Sequence, residues 1–268
     1  MQSPSSVRFP SPQIAASRAA RQGPWAGRRP LYFVPGEYEN TPPVGRYFAR
    51  LAECETASVV AYRRFAAELL LHGAPPELVA EAQQAERQVV QHAHMAQELA
   101  ERFGVEPITP LFGELAPRGL MLAAIDNAVE GCIRQTYGAL VVSFQAKAAR
   151  DLVIRNGMIS VAPEKRHHAA LSWRAGIWFE RKLSEDDVGR LRRAEQEELA
   201  ALGRELDAGL SPFETSLLGL PVKAKAVAML ERLTKELWAA AEPGSVASRR
   251  TMPPRLLDTE PPVEGDLS

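Results

Sequence analysis

The sequence predicts an all-α protein: four amphipathic helices, two further helices behind them, and an irregular arm at each end. Three observations carry that expectation. Apolar residues recur at helical spacing through most of residues 44–241, with almost none of the strict alternation that a half-buried strand needs. The breaks between these stretches are marked by Gly and Pro, as in HGAPPEL and GVEPITPLFGELAP. Hydrophobic residues make up 46% of the 268, enough for a sizeable core.

Residues 1–42 are rich in Pro, Ser, Arg and Gly without periodicity and read as a disordered arm. The first helix is expected over 44–71, where Leu51, Glu55, Ser58, Tyr62, Phe65 and Leu69 share one face. Gly73 suits the position just past its end, and Pro75-Pro76 open the next helix. That second helix, over 76–103, carries an apolar stripe of Leu78, Ala82, Ala85, Val89, Ala96 and Phe103, with His92 inside the stripe and His94 off it. The 104–117 connection has ~14 residues and reaches about 45 Å when extended, the length of a helical bundle. A third helix over 118–150 lines up Asp126, Glu130, Ile133, Tyr137, Val141 and Phe144. RNGMIS reads as a break, followed by a fourth helix over 161–182 with Pro163 in its first turn and Val161, Glu164, His168, Leu171, Ala175 and Phe179 on one face. Helices over 184–208 and 212–241 follow, and residues 243–268 read as a second disordered arm.

Composition removes several function classes. With 32 basic against 33 acidic residues the net charge is −1, which gives no reason to expect a nucleic acid or a membrane surface as partner. No apolar run long enough to span a bilayer occurs, and no apolar segment follows the N-terminal basic residues as a secretory signal requires. Two cysteines, Cys54 and Cys132, make no disulfide framework, so a reduced, cytoplasmic protein is expected. Gly-rich phosphate loops, nucleophile elbows and Cys-x-x-Cys are absent from the sequence.

What remains is a constellation. Each of the four helices places one polar residue on an otherwise apolar face: Glu55, His92, Glu130 and His168. An unpaired charge in a core costs several kcal/mol, so four such residues are best explained if they meet. Two carboxylates and two imidazoles satisfy one another, or hold iron or manganese.

The stretches ETASVVAYRRFAAELLLHGAPPELV, QHAHMAQELAERFG, VEGCI and RHHAALSWR resemble the ferritin-like superfamily, closest to an uncharacterised bacterial branch, over residues 45–182. The resemblance implies a four-helix bundle at 43–183 with a long crossover between helices two and three, and added helices at 184–242. It also implies a di-iron centre with one Glu from each of two helices and a Glu-x-x-His from each of the others. Glu55 and Glu130 match the lone glutamates, and His92 and His168 the histidines. The bridging carboxylates are replaced: Val89 stands three before His92, and Lys165 three before His168. Glu86, Asp126, Glu164 and His167 are the substitutes within reach, and Tyr62 and Tyr137 lie about two turns from Glu55 and Glu130 as candidate partners of the site carboxylates.

Two functions follow as expectations. One is a metal-dependent oxidoreductase with one or two Fe or Mn ions acting on an unknown substrate. The other is a metal-free binding or scaffold protein in which Lys165 joins a buried ion-pair network. The partner is an unknown small molecule or protein, and an oligomer is compatible with either reading.

Overall fold

The computed structural model describes residue 28 and residues 36–111, 116–206 and 209–237. The two arms expected to be disordered fall mostly outside these residues, apart from Arg28 and residues 36–42. Among the described residues the regular structure is helical, which bears out the all-α expectation.

Helix α1 (Pro43–Leu71) starts with proline in its first turn, where no backbone N–H partner is lost, and ends at His72 before Gly73 at φ +73°. The four-residue turn returns the chain into α2 (Pro76–Arg102), and these two helices form the most extensive helix pair of the fold. The next rod is a composite. Helix α3 (Leu120–Asp126) runs into a π-helical segment (Asn127–Gln135) and then α4 (Thr136–Ala148), with helical backbone angles at both junctions.

The fourth helix departs from expectation. Helix α5 (Leu152–Glu180) begins well before residue 161, so RNGMIS is helical and Pro163 lies in the helix interior. The reason is a strong start signal: Asp151 accepts from the backbone N–H groups of Val153 and Ile154 at 2.9 and 3.0 Å. That cap and the packing of Ile154 and Met158 in the core outweigh the breakers Gly157 and Pro163.

Helix α6 (Glu185–Arg204) is capped by Ser184 and carries Glu185, Asp186 and Asp187 at its positive end. The single last helix expected over 212–241 is two helices, α7 (Pro212–Leu218) and α8 (Lys223–Leu237). Gly219 separates them at φ +67°, and a Cβ there would lie 2.2 Å from the Ala149 nitrogen, so only glycine fits the close approach.

Two apolar clusters fill the interior. One gathers Phe48, Ile133, Tyr137, Ile154, Leu202 and Leu220. The other gathers Tyr62, Phe65, Leu69, Val89, Leu171 and Phe179. Each of the four main rods passes from one cluster to the other at its polar residue. Around Glu55 the change is from Ala52 to Tyr62, and around His92 from Val89 to Ala96. Around Glu130 it is from Ala128 to Ile133, and around Lys165 and His168 from Ala162 to Leu171. The polar residues therefore form one layer between two apolar halves.

Candidate functional site: a buried ionic layer

Glu55, His92, Glu130, Lys165 and His168 are all buried. On α5 the three-residue spacing brings Lys165 against Glu55 of α1 and His168 against Gln88 of α2. The Lys165 ammonium donates to Oε1 of Glu55. Oε2 of Glu55 lies 3.6 Å from Nδ1 of His92, an ion-pair contact just beyond hydrogen-bond length. Nε2 of His92 contacts Oε2 of Glu164 at 2.7 Å, and the Glu164 side chain is 37% exposed. A polar path thus runs from Lys165 and Glu55 through His92 to solvent.

His168 closes the layer. Its Nε2 pairs with Oε1 of Gln88 at 2.8 Å, its ring lies 5.8 Å from the His92 ring, and Tyr62 packs against it at 5.3 Å. Burial first, then the neighbouring Lys165 ammonium and the His92 ring, hold the His168 pKa well below the usual imidazole value. Burial pushes the Glu55 carboxyl up, but Lys165 and then His92 outweigh it, and the net shift is downward. Glu55 is therefore an anion and His168 a neutral imidazole at neutral pH.

The other sequence candidates divide clearly. Glu130 is buried on the π segment, where its charge acts on Arg134. Arg134 itself binds Glu198 and makes two parallel bonds to Glu205, at 2.9 and 3.0 Å, anchoring α6. Glu164 joins the layer through His92. Glu86 pairs with Arg63, and the half-exposed His167 with Glu81, both away from the layer. Asp126 belongs to an arginine cluster with Arg28, Arg64 and Arg118. The Tyr62 hydroxyl donates to Gln135 at 2.9 Å rather than to a site carboxylate. The Tyr137 hydroxyl faces the Ala226 carbonyl of α8 at 3.5 Å, beside a cavity lined by Val141, Leu206 and Leu220. Val89 is fully buried among apolar neighbours.

Sequence reasoning missed three polar groups. Arg118 binds Glu68 through Nε at 2.7 Å and Nη2 at 3.1 Å, and Asp126 through Nη1 at 3.1 Å. Glu53, off the expected helix face, accepts from the Tyr38 hydroxyl at 2.7 Å and the Gly36 N–H at 2.8 Å. Burial keeps its carboxyl above the usual range despite those bonds. Arg28, from the N-terminal arm, is fully buried. Each is held by at least one partner distant in sequence, and periodicity carries no signal for such pairings.

The residues do not fit a dinuclear metal centre. Such a centre needs bridging carboxylates between its cations. Of the two positions to which the resemblance assigns bridging carboxylates, Val89 is apolar and Lys165 places its own cation on Glu55. Among the described residues no three His, Cys, Asp or Glu side chains are grouped to hold an ion. No helix among them is long and apolar enough to cross a membrane. No family model, curated protein or solved structure matches this chain.

Proposed function

We propose that the chain is a ferritin-like bundle in which a lysine ammonium stands where the family holds metal, and that it serves as a binding or scaffold protein. The observation that carries this reading is the buried Lys165–Glu55 pair. A cation covalently attached to α5 neutralises the carboxylate a metal would otherwise use, and needs no bridging ligand from Val89. The partner is a small molecule or a protein, and the setting is the cytoplasm.

The test is metal analysis of protein expressed with iron and manganese supplied. The reading expects less than about 0.1 metal per chain, since an ammonium on Glu55 competes with any such ion. One or two metals per chain, lost in the Glu55→Ala/His92→Ala variant, overturns it.

One observation favours a second reading. Oε2 of Glu55, Nδ1 of His92 and Nδ1 of His168 are buried without hydrogen-bond partners. One carboxylate and two imidazoles are donor types that a single Fe, Mn or Zn ion takes, and although the three are not grouped around one point as they stand, side chains turned toward a common ion would make the protein a metal-dependent oxidoreductase. The same metal analysis separates the two.

A further inference from the structure

The Arg28 side chain lies between α1, the start of the π segment and α5. Its Nη2 donates to Oδ1 of Asn127 at 2.7 Å and to the Ser172 hydroxyl at 3.3 Å, and Nη1 faces Oδ2 of Asp126 at 3.4 Å. The guanidinium carbon sits 3.8 Å from the centre of the Phe65 ring and 5.6 Å from that of Tyr62. A planar cation over aromatic faces, with acceptors at the ends of its fork, is the environment a guanidinium selects over an ammonium.

Two further features show that the seat is shaped for this group. Gly131 leaves room for it: a Cβ at that position would lie 2.5 Å from Nη2 of Arg28 and 2.7 Å from the Ser172 hydroxyl. The π segment brings Asn127 and Gly131 to the same wall, an irregularity that recurs at functional sites.

Charge balance at the seat, among the described residues, does not depend on Arg28. Among the described residues, Arg28, Arg64 and Arg118 share two carboxylates, Asp126 and Glu68. Without Arg28 the cluster is neutral, two cations on two anions. Nε of Arg28 is buried with no acceptor, so the pocket grips only the far end of the fork.

We propose that this pocket is a guanidino-binding site, filled in cis by Arg28, which takes a small guanidino compound when Arg28 is withdrawn. The inference is independent of whether the ionic layer holds metal.

The test is chemical rescue in the full chain. Arg28→Ala should lower Tm. Millimolar methylguanidinium should restore most of the loss, methylammonium should not, and neither should shift the parent. No recovery, or equal recovery with methylammonium, overturns the proposal. A second measurement uses the parent chain and does not depend on the variant folding well. By nitrogen-15 NMR, the Arg28 guanidinium should give a ring-shifted, exchange-protected signal that is absent from Arg28→Lys. Agmatine at about 50 mM, above the millimolar range of effective concentration for an intramolecular competitor, should diminish it. A signal unmoved by agmatine overturns the proposal.

Discussion

The ammonium of Lys165 donates to the Glu55 carboxylate between two apolar clusters, with both side chains almost fully buried. Each charge was taken out of water to make that contact, so neither is tolerable alone. Glu55 has His92 as a second neighbour, and His92 leads to the half-exposed Glu164. The layer is therefore a coupled unit.

Removing the two partners together should cost less than their separate removals added up. Lys165→Met leaves a buried carboxylate uncompensated and should cost about 3–5 kcal/mol. Lys165→Met with Glu55→Leu should cost clearly less than the sum of the single changes. Urea unfolding of the parent, both single variants and the pair measures this. Additive costs would show that the two charges do not depend on each other.

Acid should destabilise the fold in stages. His168 has a folded pKa well below the ordinary imidazole value of 6.5, so its contribution is complete above about 6.5 and is lost as pH falls through the folded value. Glu55 and Asp126 are likewise held low, from 4.5 and 3.8, and add a second loss at lower pH. Glu53 has the opposite sign, because burial raises its folded pKa: its contribution is present below 4.5 and fades as pH rises through the folded value. Tm measured from pH 8 to 4 should fall, and His168→Gln should flatten the limb between 7 and 5. An unchanged limb would remove His168 as its source.

The early start of α5 has its own check. Asp151→Ala removes the cap on Val153 and Ile154 and should lower stability by about 1 kcal/mol. Gly219→Ala should cost more than that, because φ +67° and the Ala149 backbone both oppose a side chain there. Chemical denaturation of the two variants ranks them.

Much of this arrangement was legible in the residues, for identifiable reasons. Glu55, His92, Glu130 and His168 stood out because an apolar stripe makes an inward polar residue conspicuous. Lys165 was marked by its place three before His168. Tyr137 was misplaced because the π segment bonds i to i+5 and turns each residue by less than an α-helix does, so faces projected past Glu130 drift out of register. The start of α5 was obscured because Gly157 and Pro163 are local breakers, while the packing of Ile154 and Met158 that overrides them is tertiary. Arg28 lay in a segment without periodicity, and its partners are about a hundred residues away or more in Asp126, Asn127 and Ser172.

Metal binding decides whether the Lys165 ammonium on Glu55 takes the place proposed for a bridging carboxylate. Metal content per chain, compared between the parent and the Val89→Glu/Lys165→Glu variant after expression with iron and manganese, tests it most directly. The account predicts a parent with under about 0.1 metal and a variant that gains up to two, because the two carboxylates supply the missing bridges. A parent already carrying stoichiometric metal, or a variant that binds none, would contradict it.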